Sequence, residues 1–172
     1  SRGAIDFDSR EAKIIVDGEG HPTAIEVRDR GVGERMIESF MLSANETVAG
    51  HFTRKVLPFI YRVHEQPDED RMQRFLEFVT AFGIVPQGTK SSIRPKDIQN
   101  VLREIEGATF QPVVSMMLLR SMKQAKYDIE PIGHYGLAAE DYTHFTSPIR
   151  RYPDLIVHRL IHFYESHARP NA

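Results

Sequence analysis

The 172-residue chain contains no cysteine, so it carries no disulfide framework and no thiolate metal site. That fits a reducing compartment, and a cytoplasmic location is expected. No apolar run approaches membrane-spanning length, and the first residues show no signal-peptide pattern. Charge of one sign is missing too: 22 Lys and Arg against 24 Asp and Glu leave a formal net charge of -2 with histidines neutral. Bulk charge therefore does not announce a nucleic-acid binder, and any phosphate recognition must be local, as in a channel lined by a few cations. The serine nucleophile elbow, the Walker phosphate loop, the dinucleotide fingerprint, internal repeats and low-complexity tracts are all absent.

What is present suits one domain, or a large part of one. Hydrophobic residues make up 41% of the chain, enough for a sizeable core. The chain starts at Ser1 and runs almost at once into strand-like residues, so it reads as a piece of something longer. Residues 4–7, 12–17 and 23–28 read as strands around an Asp17-Gly18 turn, forming a small antiparallel ladder. After Gly31 the period becomes helical, with Ile37, Phe40, Met41, Ala44, Val48 and Phe52 on one stripe until Pro58. Residues 59–64 form a short strand. A second helix opens at 66–68 and turns Met72, Phe75, Leu76, Val79 and Phe82 inward. Residues 88–92 are a loop. Pro95 starts a third helix with Ile98, Val101, Leu102 and Ile105, stopped by Gly107. Pro112 opens a fourth with Val113, Met117, Leu118 and Met122, residues 127–141 are irregular, and a last helix uses Leu155, Ile156, Leu160 and Phe163. The expected class is α+β: short antiparallel strands at the N-terminal end, followed by a helix-rich body.

The most informative stretch is His144-Phe145-Thr146-Ser147-Pro148-Ile149-Arg150-Arg151-Tyr152-Pro153-Asp154. Ser147 is a good N-cap and Pro148 follows at the first helical position. A helix N-terminus carries positive partial charge, so Arg150 and Arg151 run against the local preference. Residues that break a local rule are functional suspects. One reading pairs the arginines with a carboxylate or leaves them in solvent. The other aims arginine forks and a helix N-terminus at one phosphate. Pro153 forces a choice: a kinked helix from Pro148, or a short turn over 147–152 with the main helix starting at Pro153.

Other groupings are weaker. Asp6 and Asp8 lie two apart on a strand and could share a cation, but two carboxylates alone are a weak metal signal and a plain surface is the expected reading. Glu34 and Glu38 are one helical turn apart, and Glu38 sits beside the apolar stripe. His158 and His162 have metal-ligand spacing without the accompanying glutamate, so ordinary histidines are expected. Arg120 and Lys123 are placed on adjacent turns of a basic stripe. Tyr127, His134, Tyr135 and Tyr142 nearby could stack bases, the pattern of single-strand binding grooves.

Residues 2–7, 36–38 through 44–45, 118–127, 134–137 and above all 144–154 resemble the catalytic RNB domain of the ribonuclease R family, in the exoribonuclease II superfamily, closest to its Gram-positive bacterial branch. The resemblance runs along nearly the whole chain in the same motif order. It implies a processive 3′→5′ exoribonuclease that acts on single-stranded and structured RNA and releases nucleoside 5′-monophosphates from the 3′ end. It further implies that residues 1–172 are a partial RNB domain, with a Mg²⁺-binding aspartate cluster and cold-shock domains upstream and an S1 domain downstream. By the resemblance, Arg150 lies at the scissile phosphate, Phe7 stacks on the terminal base, and Glu38 lies near the terminal nucleotides. His144, Arg151, Tyr152, Arg120 and Lys123 are expected RNA contacts. Mg²⁺ serves the complete enzyme; this segment alone is expected to bind none and to be inactive, and no membrane partner is expected. The alternative is a non-catalytic RNA-binding or interaction module.

Overall fold

The computed structural model describes residues 4–5, 11–28, 31–85 and 93–167. Two strands, β1 (Glu11–Val16) and β2 (Pro22–Arg28), pair antiparallel with Ile14 opposite Ile25. Asp17 closes their turn, its Oδ1 accepting from the backbone N–H of Glu19 and of His21 at 2.9 Å each. Ile14 and Ile25 are 60% and 76% exposed, so the hairpin projects rather than building the core. The strand expected over 4–7 is not formed at Ala4 and Ile5; Ile5 is buried and its N–H donates to the Gly136 carbonyl. Residues 6–10, which include Asp6, Phe7 and Asp8, lie outside the described residues, as does the loop over 88–92.

Helix α1 (Val32–Lys55) starts where Glu34 Oε2 accepts from the Gly31 N–H at 3.0 Å. It runs 24 residues, about 36 Å at the helical rise. Its buried residues, Asn45, Ala49, Gly50 and Phe52, all lie in the second half. Ile37 and Phe40, expected inward, are 54% and 64% exposed. The stripe continues along the helix, but the core it packs on does not. Phe52 stacks on Phe59 with ring centroids 4.2 Å apart. These two join Ala49, Tyr61, Val63 and Val157 in one hydrophobic cluster.

Strand β3 (Tyr61–Val63) follows, then α2 (Glu69–Thr80), α3 (Pro95–Glu104) and α4 (Gln111–Ser121). Asp68 caps α2 by accepting from the Arg71 N–H, and Pro95 stands at the start of α3. The three helices bury a second cluster that includes Met72, Phe75, Val79, Ile98, Val101, Ile105, Val114 and Leu118. Phe82 is 40% exposed, lying past the end of α2 and stacked on Phe110. Val113 is 52% exposed; Val114 takes the inward position. Helix α4 stops at Ser121 because Met122 turns extended, so Lys123 is not on a helix with Arg120.

Within the stretch expected to be irregular, β4 (Lys126–Asp128) pairs antiparallel with β3, Tyr127 opposite Arg62. Residues 133–147 then pass alongside β3. The Arg62 N–H donates to Tyr142, the His64 N–H to Gly133, and the Tyr135 N–H to His64. A Cβ on Gly136 would stand 2.9 Å from His64 Nδ1, so the close pass needs a glycine there. The last helix among the described residues is α5 (Tyr152–His167), where Val157 is buried and Phe163, expected inward, is 52% exposed. No helix among the described residues is long and apolar enough to cross a membrane.

Candidate functional site

The 144–154 stretch resolves into a turn followed by a helix. The Ser147 carbonyl accepts from the N–H of Arg150 at 3.2 Å and of Arg151 at 3.1 Å. Helix α5 begins at Tyr152, with Pro153 in its first turn. Ser147 therefore heads a turn rather than capping a helix. A proline deeper in the helix would clash with the carbonyl one turn back, and this arrangement avoids it.

Asp154 holds the turn from below. It is fully buried, and its Oδ2 accepts from the Ser147 N–H at 2.8 Å and from Arg151 Nη2 at 2.9 Å. Asp154 Oδ1, Arg151 Nε and Thr146 Oγ1 are buried without hydrogen-bond partners. Such orphans are uncommon, and all three lie within nine residues of sequence. Arg151 is thus engaged with a carboxylate, whereas Arg150 is exposed. Its Nη2 lies 3.4 Å from Ser147 Oγ, and no carboxylate among the described residues stands within ion-pair distance of it.

Asn45 of α1 ties the approach to the turn. Its Nδ2 donates to the Tyr142 hydroxyl at 3.0 Å, and its Oδ1 accepts from the Phe145 N–H at 2.9 Å. His158 of α5 stacks on Phe145 at 4.4 Å and donates from Nε2 to the Phe145 carbonyl at 2.9 Å. His158 thus packs in the fold rather than on the open surface, whereas His162 is exposed.

Rings line the way from β3 to the turn: His64 to His134 at 5.1 Å, His134 to Tyr142 at 5.3 Å, Tyr142 to His144 at 5.8 Å, and His144 to Tyr127 at 5.6 Å. Of the tyrosines expected to stack bases, Tyr135 and Tyr142 are 8% and 6% exposed and belong to the interior. The Tyr135 hydroxyl donates to the Ile93 carbonyl, and burial pushes its pKa up to about 12. Burial pushes His144 down to about 4. Arg151, Arg62 and Arg150 push the same way, against Asp154 alone. Burial also takes His134 to about 4, helped by His64 and Arg62. Both histidines are held neutral near pH 7, and the charges around His144 are three arginines and one already paired carboxylate.

Tyr152 is 69% exposed at the start of α5, beside the turn. Glu38 is exposed on α1, and Arg120 is exposed at the end of α4. Lys123 pairs with Glu65 at 2.7 Å, and its carbonyl meets His64 Nε2 at 2.8 Å, at the far end of the ring series. Sequence reasoning missed Asn45, Arg62 and the role of Asp154. Only Asp154 carried a local signal: an acidic side chain in a helix's first turn, three residues after an arginine. No group of three His, Asp or Glu that could hold a metal ion occurs among the described residues. They therefore do not fit a Mg²⁺ cage.

The turn therefore presents an exposed arginine, with further cations and neutral rings behind it, an arrangement chemically able to receive an anion. The chain belongs to the RNB domain family, matched over residues 1–167. It is 61% identical over 160 residues to ribonuclease R 1 of Lactococcus lactis, covering 93% of this chain and 20% of that protein. Its fold is similar to that of Mycoplasma genitalium RNase R in complex with ribose-methylated single-stranded RNA, at a TM-score of 0.85 and 36% identity, covering 97% of this chain and 26% of that one. It is also similar to the yeast pseudonuclease Ssd1, at a TM-score of 0.69 and 28% identity over 84% of this chain and 18% of that one. The chain spans about a fifth to a quarter of the length of the curated relatives it matches.

Proposed function

We propose that this chain is the part of a ribonuclease R-type 3′→5′ exoribonuclease that presents Arg150 to the scissile phosphate of single-stranded or structured RNA, in a protein that releases nucleoside 5′-monophosphates. The observation that carries the reading is Arg150 itself: exposed, fixed on a turn held by buried Asp154, and without a carboxylate partner among the described residues. Its guanidinium fork matches phosphate oxygens and can stabilise the negative charge that develops on them during hydrolysis. His144 and Tyr152 flank the turn and would contact the RNA. Arg151, tied to Asp154, supports the turn first and contacts RNA second. Phe7, Glu38, Arg120 and Lys123 remain expected contacts along the strand. Mg²⁺ would be held in the complete enzyme by groups beyond those described here. A cytoplasmic location, consistent with the absence of cysteine, belongs to the same proposal.

The test is single-turnover cleavage by the complete protein at saturating enzyme, which separates chemistry from binding. Arg150→Ala should slow cleavage by about 10²–10³-fold, the scale of losing one preorganised charge-stabilising donor. RNA affinity should fall much less, and Arg150→Lys should rescue poorly. An intact single-turnover rate with weakened affinity would make Arg150 a positioning contact. Residues 1–172 alone should release no mononucleotides, and EDTA-sensitive trimming by the pure segment would refute that part. A second reading, RNA binding without hydrolysis, is favoured by the fold shared with the yeast pseudonuclease. It predicts that the complete protein binds single-stranded RNA and leaves its length unchanged.

A further inference from the structure

The three tyrosines along residues 127–142 divide sharply. Tyr135 and Tyr142 are buried with bonded hydroxyls, while Tyr127 keeps 39% of its surface in solvent. An exposed tyrosine is ordinarily free to turn, but this one is fixed on two sides. Arg62, directly opposite on β3, places its guanidinium carbon 4.8 Å from the ring centroid, in cation–π contact. The hydroxyl shares a 2.7 Å hydrogen bond with His144 Nδ1, and the His144 ring meets the tyrosine edge-on at 73°. Strand alternation puts Arg62 and Tyr127 on the side of the β3–β4 pair away from buried Tyr61 and Val63. That side continues through His144 to the Arg150 turn.

We propose that Tyr127 is a stacking platform for an unpaired nucleobase of single-stranded RNA, held ready by Arg62 on one face and by His144 at the hydroxyl, with the other face open to the base. The proposal rests on the reading of Arg150 as the phosphate contact and adds a base contact to it. A ring already immobilised loses little freedom when a base settles on it. Every base has a flat π face, so such a platform is tolerant of sequence. Bases inside a duplex are already stacked and shielded, so the ligand is a single strand. Arg62 serves twice, as support for the ring and as one of the cations that make the face attractive to the RNA backbone.

The test uses the complete protein and RNA oligonucleotides carrying 2-aminopurine at successive positions from the 3′ end. Wild-type protein should quench one interior position through Tyr127. Tyr127→Leu should abolish that quenching and weaken binding by about 5- to 150-fold, the range of one base–aromatic stack. Tyr127→Phe keeps the ring and should restore most of both. An abasic ribose at the quenched position should make wild-type and Tyr127→Leu bind alike. The proposal is overturned if Tyr127→Phe is as weak as Tyr127→Leu, because the hydroxyl's hold on His144 would then be what matters. It is equally overturned if the Leu variant loses as much on the abasic RNA as on the intact strand. Arg150-dependent trimming that Tyr127→Leu leaves unaltered would sink the platform and leave the phosphate reading standing. A wild-type protein that binds no single-stranded RNA would end both.

Discussion

Asp154 has no exposed surface, yet it carries the charge on which the Arg150 turn depends. Its only ion-pair partner among the described residues is Arg151. Breaking a buried pair by removing one member leaves an uncompensated charge, at a cost of about 3–5 kcal/mol. Arg151→Ala should therefore lower the urea midpoint strongly, while Arg150→Ala, at an exposed position, should stay within about 0.5 kcal/mol of wild type. Equal midpoints for the two variants would show that Asp154 does not need its partner. Histidines set the pH response. His134 and His144 have pKa values pushed by burial from 6.5 to about 4 in the fold. The unfolded chain takes up these protons first as pH falls. Stability is thus fully present above pH 6.5 and declines as pH falls from 6.5 towards 4. Urea midpoints at pH 7.5 and pH 5 should differ, and His144→Gln should narrow the gap; a gap unchanged in that variant would mean that His144 titrates alike folded and unfolded.

Among the elements, α1 shows what its sequence could and could not reveal. Glycine before it, apolar residues at helical spacing along it and proline after it made its existence and length legible. Which turns would be covered was not legible, because cover comes from Phe59, Tyr61 and Val157, which are distant in sequence. The same reason explains Val113 and Phe163: periodicity marks an apolar face but not where its partner ends. The C-terminus of α1 carries another feature hidden from periodicity. Val56 adopts φ 54°, the left-handed region, while 88% exposed. For a β-branched residue this conformation costs about 1–2 kcal/mol, and glycine adopts it freely. Val56→Gly should therefore raise the melting temperature, the gain being reduced by about 0.5–1 kcal/mol of extra chain entropy. A lower melting temperature would indicate that the valine side chain contributes packing that its exposure hides.

In the whole molecule, the candidate site is assembled from parts that are far apart in sequence. Arg150 was legible because it broke a local rule at a helix start. Asn45 was not, because its bond to Tyr142 spans 97 residues, and Arg62 was not, because only the β3–β4 register sets it over Tyr127. The two hydrophobic clusters share no residue among those described. Residues 133–147 run between them, bonded to β3 along one side and to Asn45 near their end. The clasp is anchored by the Tyr135 ring in one cluster and the Phe145 ring against the other, and the rest of its hold is backbone hydrogen bonds and a few polar side chains. Under denaturant, the two clusters can then let go of each other before either one melts. RNA cleavage by the complete protein should fall at a lower urea concentration than the helical circular dichroism signal, leaving an interval in which the helices persist and Arg150 has lost its seat. Coincident transitions would mean that the clasp and both clusters unfold as one cooperative unit.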